Sequence, residues 1–319
     1  MTNQIMGAII LGLIYGQMVL GVYISFRILK IPDLTVDGSI VLGMSTCAMI
    51  TKAGHPFLAF VMAIIAGIAA GAFTGLLQTK VKIPAILSGI LTMTGLYSIN
   101  LHIQAGSPNV SLLGSPTIFQ MVIDRMPDVD KNVTRILVTG VIVILLLVLV
   151  IWFFKTRLGL YIRTTGDNED MVRASSINAD RMKVIALSFA NGLVALSGAV
   201  YSHYMGYADV TAGSGTVVSG FASVIIGEAV IGCIFMIVGL FYRDIKDKKG
   251  SVATGFIAAV IGSISYRVIV ALAINTNLLP SHFLRLITVA IIIIALAVGP
   301  TRDWMLAASN RRRREKENA

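Results

Sequence analysis

The chain carries little charge for its length. Only 13% of its 319 residues are Asp, Glu, Lys or Arg, whereas 56% are hydrophobic. A soluble domain has about 25% charged residues, because its whole surface faces water. The composition therefore excludes an ordinary soluble protein and indicates a membrane protein.

Other absences argue against particular kinds of site and segment. The two cysteines, Cys47 and Cys233, lie in apolar stretches, so we expect neither a disulfide framework nor a cysteine metal site. No Gly-x-x-x-x-Gly-Lys-Ser/Thr phosphate loop occurs, so this chain does not hydrolyse nucleotide by that route. The first 26 residues carry no charge and hence no basic n-region. We expect them to form a retained span rather than a signal peptide.

Long charge-free windows supply the membrane spans, each of which needs about 20 apolar residues. They predict an all-α polytopic helix bundle of about nine spans, with eight to ten as the range. The second window is short and follows Pro32–Ser39, so we expect a broken or partly re-entrant helix there. The windows lie near 5–26, 38–51, 57–79, 84–103, 136–154, 184–205, 216–241, 251–273 and 285–301.

The net charge of +10 comes from basic residues that gather at span ends. This placement is typical of membrane topology signals, and no nucleic-acid partner is predicted. With the 155–183 segment in the cytoplasm, 20 of the 26 Lys and Arg residues fall on the cytoplasmic side. We therefore expect a cytoplasmic C-terminus, a single transmembrane domain over residues 1–305, and a basic cytoplasmic tail over 306–319.

A polar segment, residues 155–183, interrupts the apolar sequence with six basic and four acidic residues. Segments of this length between spans are usually functional or disordered. Residues 163–168 predict an extended stretch and a Gly turn with an Asp or Asn cap, followed by a short helix through Met171 and Ala174. Met171 and Ile177 suit insertion into a partner's groove. A solvated loop with ordinary caps is the alternative.

Several motifs give this chain a family resemblance. They include Arg157–Leu160, Arg163–Asn168, Ile177–Lys183, Pro32–Ser39, Leu91–Asn100, Ser188–Gly198 and Ser223–Ala229. These motifs resemble those of the permease subunits of bacterial ABC importers, in the branch with branched-chain amino acid and simple-sugar permeases. The similarity runs from about residue 7 to 300. It is nearest to a subgroup associated with binding proteins for amino acids such as tryptophan and tyrosine.

The resemblance implies an assembly in a bacterial cell membrane. Two permease chains, surrounded by lipid, would form the pore above two ATPase subunits, either as two copies of this chain or as this chain paired with a similar one. An extracytoplasmic binding protein would deliver a small solute such as an amino acid. ATP and Mg²⁺ would bind the partner ATPase, and this chain would hold no cofactor. The 155–183 segment then matches the region that couples to the ATPase, which implies that role for Arg163, Thr165, Gly166, Asp167, Asn168, Met171, Ala174, Ile177 and Asn178.

Polar residues inside the predicted spans are the candidates for lining a solute pathway. Glu228 is the one acid deep in a span, where an ionisable group is costly and by default functional. It could bind a substrate ammonium group, or pair with Arg267 as a structural contact. The other candidates are Thr92, Thr94, Tyr97 and Asn100, which form a stripe on the fourth span, and Asn191 on the sixth. Helix-to-helix hydrogen bonding is the alternative for each of these residues.

Two groups of polar residues are expected to be structural. Asp33 and Asp37 flank the break before the second span, where carboxylates would cap backbone freed from a helix. The four histidines, His55, His102, His203 and His282, lie on four separate elements near the outer span ends. No metal site is therefore expected, and we interpret them as surface histidines.

An ion-coupled secondary transporter is the rival class. It would need intramembrane carboxylates or unwound helices at the bilayer midplane to bind the coupling ion. Glu228 is the only carboxylate within the predicted spans. An intramembrane enzyme is not supported, because no nucleophile–base pair is found and no residue is expected to be catalytic. The sequence therefore favours a transport subunit that is not itself an enzyme.

Overall fold

The computed structural model describes residues 2–241 and 252–275, together with Val289 and Ile293. The described part is almost entirely helical. It contains eleven α-helices, one π-helical turn and one two-stranded ribbon. In chain order these are α1 Thr2–Tyr23, the π-helical turn Ile24–Ile28, α2 Val36–Lys52, α3 Pro56–Thr79, α4 Ala85–Ile103, β1 Asn109–Ser111, α5 Ile118–Arg125, α6 Lys131–Lys155, α7 Arg157–Asp167, α8 Glu169–Ala174, α9 Ala179–Met205, β2 Tyr207–Asp209, α10 Thr216–Phe241 and α11 Val252–Asn275.

Seven helical segments of the described chain are long and apolar enough to cross a membrane. The predicted all-α polytopic bundle is therefore confirmed, and each of the seven corresponds to a predicted span. The predicted second span corresponds to α2, which has only 17 residues. The predicted ninth span, 285–301, and the basic tail, 306–319, lie outside the continuously described residues. A count of nine spans thus stays a prediction.

The centre of the bundle is α9, which packs against α1, α2 and α3. Small residues allow these helices to approach closely. A Cβ atom on Gly43 of α2 would collide with the backbone carbonyl of Ala195, and one on Gly198 would collide with that of Ile40. In contrast, α4 and α6 bury only 28% and 22% of their most apolar windows. These two helices present their apolar faces to the surroundings.

The connection between α1 and α2 turns back into the bundle. Lys30 adopts a positive φ of 56° after the π-helical turn, and Pro32 follows. Asp33 then accepts a hydrogen bond from the backbone N–H of Thr35 at 2.9 Å, which satisfies a donor freed from helix. The expected capping role of Asp33 is present, and the predicted break before the second span lies at residues 29–35.

The two ends of the bundle carry different structures, and α6 connects them. At one end β1 and β2 pair antiparallel, with Val110 opposite Ala208, and α5 lies beside them. We call this the ribbon end. At the other end α7 and α8 lie between α6 and α9, and we call this the α7–α8 end.

Candidate functional site

A cavity of about 500 Å³ lies between α2, α4 and the loop that follows β2. It brings together three residues of the predicted stripe, Thr94, Tyr97 and Asn100, because their spacing of three places them on one helix face. The cavity also includes Asp37, which the sequence pattern identified only as a structural cap. Its lining consists of Asp37, Gly38, Val41, Met93, Thr94, Tyr97, Asn100, Val210, Thr211, Gly213 and Ser214.

Asp37 holds one wall of this cavity in place. Its Oδ1 accepts hydrogen bonds from the Val217 N–H at 2.7 Å and from the Thr216 hydroxyl at 2.8 Å, and its Oδ2 accepts from the Gly215 N–H at 2.9 Å. These donors form the N-terminus of α10, where the helix dipole favours a negative charge. The carboxylate therefore ties α10 to the start of α2 and directs the 210–215 loop into the bundle.

Asn100 and Tyr97 present polar atoms on the α4 side. The Asn100 amide donates to the Gly38 carbonyl at 3.2 Å, while its buried Oδ1 has no partner among the described residues. The Tyr97 side chain is 51% exposed. A carboxylate, an amide side chain and a phenol beside Met93 thus line one small cavity, and such a set of groups suits an ammonium group next to an apolar or aromatic body.

Two other residues of the predicted pathway lie away from this cavity, inside the bundle. The Thr92 hydroxyl accepts a hydrogen bond from Thr74, which in turn bonds to Thr35 at 2.8 Å, so three hydroxyl groups form a buried chain. Asn191 donates to the Asp33 carboxylate at 2.7 Å and is fully buried. Both residues connect elements of the bundle, as hydrogen bonds between membrane helices commonly do.

Glu228 also lies outside the cavity, and its partner differs from the predicted one. Its carboxylate pairs with Arg27 of the π-helical turn at 2.7 Å. The predicted partner, Arg267, instead stacks over the Tyr15 ring, with 3.7 Å between the guanidinium carbon and the ring centroid. The pairing with Arg267 is therefore wrong, because α11 packs its Arg267 against α1.

The 155–183 segment forms two helices rather than an extended stretch and a turn. Residues 163–167 complete α7, so the predicted extended conformation is wrong there. Gly166 packs against the Ile28 carbonyl, where a Cβ atom would collide, and Thr165 is buried. The predicted short helix is present as α8, and the Asn168 side chain caps it by accepting from the Met171 N–H at 3.0 Å.

Ion pairs hold α8 against the start of α9. Glu169 accepts hydrogen bonds from Lys183 at 2.6 Å and from Arg173 at 2.8 Å, and Arg173 also contacts Asp180 at 2.6 Å. The hydrogen bond from Lys183, supported by Arg173, holds the pKa of the Glu169 carboxyl below its ordinary value.

The predicted coupling residues divide between the surface and the packed side of these helices. Met171 is 54% exposed, and Asp167 pairs on the surface with Lys30 at 2.9 Å. Ile177 packs against the core, and Asn178 caps α9 through the Arg181 N–H. The remaining predicted residues, Arg163 and Ala174, lie on α7 and α8 respectively.

Sequence patterns missed a buried histidine at the ribbon end. His203 was expected at the surface, yet it is 3% exposed. Its Nε2 lies 2.8 Å from the Thr51 hydroxyl, and its Nδ1 accepts from the Ile118 N–H at 3.2 Å. His203 thus fastens α5 to α2 and α9. No local signal marks this role, since the partners lie 85 and 152 residues away.

Seven helices long and apolar enough to cross a membrane, with a polar cavity between two of the bundle's helices, suit a membrane transport subunit. Comparison with known families agrees with this class. The family model described as "Branched-chain amino acid transport system / permease component" matches residues 4–296. The chain therefore belongs to this family of ABC transporter permeases and is a multi-pass membrane protein. Permeases are transport subunits and are not enzymes.

Individual relatives agree with the family assignment. A tyrosine transport system permease protein of Clostridioides difficile (strain R20291) is 36% identical over 90% of this chain and 88% of its own length. An uncharacterized protein of Rickettsia prowazekii (strain Madrid E) is 37% identical over 72% of this chain and 78% of its own length. The ribose import permease protein of Escherichia coli K12 is 28% identical, over 61% of this chain and 60% of its own length. No solved structure gives a significant match.

Proposed function

We propose that this chain is the membrane subunit of an ATP-driven importer that translocates an amino acid or a related small solute. The observation that carries the proposal is the cavity between α2 and α4. The negative charge of Asp37 and the polar Asn100 in its lining suit an ammonium group, and Tyr97 with Met93 suits an apolar or aromatic side chain. The 36% identity to a tyrosine transport permease supports this substrate class.

The proposed partners follow from the two ends of the bundle. An ATPase subunit docks on the α7–α8 end, where the exposed Met171 stands on a helix stabilised by ion pairs. It binds ATP and Mg²⁺, and its closure moves α8. An extracytoplasmic binding protein docks on the ribbon end, formed by residues 104–132 and 204–215. A second copy of the chain completes the pore.

The proposed orientation follows from charge. The α7–α8 end carries the six basic residues of the 155–183 segment, and by the positive-inside rule this charge supports a position on the cytoplasmic side of a bacterial cell membrane. The C-terminus then also lies in the cytoplasm. The ribbon end faces outward, toward the binding protein.

Reconstituted transport tests this function. Proteoliposomes containing the chain with its proposed ATPase and binding-protein partners are loaded with ATP and Mg²⁺, and the uptake of radiolabelled amino acids is measured. We expect uptake that requires ATP and the binding protein and that survives ionophores. Uptake that an ion gradient drives without ATP would establish the rival class, a secondary transporter.

The cavity is tested in the same system. Tyr97→Ala removes the ring that lines the cavity and is expected to lower uptake severalfold while the protein still assembles. Leu113→Ala, at a 94% exposed residue of the ribbon end, gives a matched truncation outside the cavity for the assembly measurement. Unchanged uptake by the Tyr97 variant would remove the cavity from the pathway.

A further inference from the structure

We propose that the junction of α6 and α7 binds the headgroup of an anionic phospholipid. A cavity of about 360 Å³ opens at this junction. Three cationic side chains and several apolar ones surround it: Ile151, Phe154, Lys155, Thr156, Arg157, Leu160, Arg163, Val252 and Ala253. This inference depends on the chain being a membrane protein and is independent of the proposed import function.

The three cations at this cavity have no acidic partner among the described residues. The ion pairs of the described chain involve neither Lys155, nor Arg157, nor Arg163. Nearby acids are committed elsewhere, because Glu228 pairs with Arg27 and Asp167 pairs with Lys30. Three cations that have no acidic partner in the described part of the chain, arranged around one small cavity, form a site for an anion.

The start of α7 lies at the same cavity, since Thr156 and Arg157 belong to its lining. Thr156 caps the helix, and its hydroxyl oxygen accepts from the Gly159 N–H at 3.4 Å. The N–H groups of Arg157 and Leu158 occupy the first two helical positions, where no intrahelical carbonyl is available. The helix dipole makes this end favourable for negative charge. A phosphate oxygen is an acceptor that both the cations and these donors recognise.

The position of the cavity relative to the lipid-facing surface favours a phospholipid. One side of α6 exposes a continuous apolar stripe that ends in Trp152, which is 68% exposed. Tryptophan is enriched at the membrane–water boundary, where its ring meets the headgroups. Lys155 and Arg157 follow immediately, so the cavity lies at headgroup level. The stripe consists of Leu137, Val141, Ile144, Leu145, Val148 and Trp152.

Exposed apolar side chains next to the cations also fit a lipid better than a free anion. Leu158 and Leu160 of α7 are 44% and 51% exposed, beside the basic residues of the same helix. A helix with exposed leucines and basic residues is typical of the membrane surface. The lipid phosphate would lie on Lys155, Arg157 and Arg163, and its acyl chains would follow the apolar face of α6.

Lipid binding to the purified full-length chain tests this site. In a neutral detergent, phosphatidylglycerol is titrated against phosphatidylcholine and against inorganic phosphate. The melting temperature and the number of bound lipids in native mass spectra are measured. We expect phosphatidylglycerol to raise the melting temperature, with phosphatidylcholine and inorganic phosphate having much smaller effects. Each removed cation is expected to weaken phosphatidylglycerol binding by roughly fivefold.

Two triple variants with the same change in charge show where phosphatidylglycerol binds. Lys155→Gln, Arg157→Gln and Arg163→Gln together remove the proposed site. Lys52→Gln, Arg125→Gln and Lys131→Gln remove three exposed cations from the ribbon end. Only the first triple should lose the tight lipid.

Three outcomes would overturn the proposal. An equal loss of phosphatidylglycerol binding in both triple variants would show a general charge effect. An equal rise in melting temperature with phosphatidylcholine would show no headgroup selectivity. A full response to inorganic phosphate would show an anion site without lipid selectivity. If the first triple does not fold, the three single substitutions at the same residues, each with about fivefold weaker binding, replace it.

Discussion

The Nε atom of Arg27 lies 2.7 Å from the Oε1 atom of Glu228, and this ion pair joins the π-helical turn after α1 to α10. π-Helical turns are rare and frequently occur at functional positions. Arg27 is 57% exposed and Glu228 33% exposed, so the pair is not sealed in the core. The Glu228 charge is balanced by Arg27 within the chain, and we therefore predict a structural role for Glu228.

A double-mutant cycle measures this contact. Glu228→Gln leaves Arg27 without its counter-charge, and we expect a lower melting temperature than for the wild type. Combining it with Arg27→Gln should cost less than the sum of the two single changes. The coupling energy should be about 1 kcal/mol, because partly exposed pairs contribute little more.

The cycle with Arg267→Gln is the control for this prediction. Arg267 stacks on Tyr15, so its effect should simply add to that of Glu228→Gln. Coupling to Arg267 and not to Arg27 would contradict the observed pairing. A variant Glu228→Gln with normal stability but reduced uptake would show that Glu228 serves the solute instead.

Asp37 is predicted to be essential for the cavity wall. Asp37→Ala removes three hydrogen bonds and the charge at the α10 N-terminus, and should lower the free energy of unfolding by about 2–3 kcal/mol. Asp37→Asn keeps the shape and part of the bonding, so it should fold while uptake falls. Melting temperature and uptake are measured for both variants.

The matched control for Asp37 is Asp124→Asn. Asp124 is an exposed acid of α5 that contacts only Gln120 among the described residues. It should not change the melting temperature, and it serves as a control for stability alone, because α5 belongs to the proposed docking surface of the binding protein. Uptake at the wild-type level in Asp37→Asn would show that the charge at the cavity wall has no role.

Crosslinking tests the docking of the ATPase on α8. Cys233 is exposed, so it is first replaced by alanine. A cysteine placed at the exposed Ser175 should then form a crosslink to the ATPase subunit. A cysteine at Ser115, at the ribbon end, should not reach the ATPase. Crosslinks from Ser175 to the binding protein would reverse the proposed orientation.

The attachment of α8 is predicted to depend on pH in the acid range. The hydrogen bond from Lys183 holds the pKa of Glu169 below its ordinary value of 4.5. A lowered carboxyl pKa contributes stability that is fully present above pH 4.5 and is lost as the pH falls through the lowered value. Amide hydrogen exchange in α8, corrected for intrinsic pH effects, should show protection that decreases only below pH 4.5.

Glu169→Gln provides the comparison for this pH dependence. The amide cannot ionise, so the variant should show weak protection of α8 at every pH. Asp170→Asn removes a neighbouring acid that makes no ion pair among the described residues, and should retain the wild-type profile. A profile for Glu169→Gln identical to that of the wild type would contradict the role of this carboxylate.

The positions of the membrane helices could largely be predicted from the sequence, whereas the helical conformation of residues 163–167 could not. Two threonines and a glycine favour an extended or turn conformation locally. In the structure, the hydroxyls of Thr164 and Thr165 bond back to the Tyr161 carbonyl, and Gly166 fits against Ile28. Contacts with the π-helical turn therefore decide that α7 continues to Asp167.

One wall of the candidate cavity could be predicted from the sequence, and the other could not. The spacing of Thr94, Tyr97 and Asn100 places them on one face of α4, and that spacing is visible in the sequence. The opposite wall depends on Asp37 and its contacts with residues 215–217, about 180 positions later in the chain. Nothing near Asp37 in the sequence indicates those partners.

The sequence by itself determined that this protein is a helical membrane protein and where seven of its spans lie. Hydrophobicity adds up along each segment, so a run of about 20 apolar residues is sufficient to predict a span. Only the tertiary structure decided which polar side chains meet, such as Arg27 with Glu228 and Asn191 with Asp33. Those pairings depend on the rotation and crossing of helices that are far apart in the chain, and small residues such as Gly43 and Gly198 set that packing.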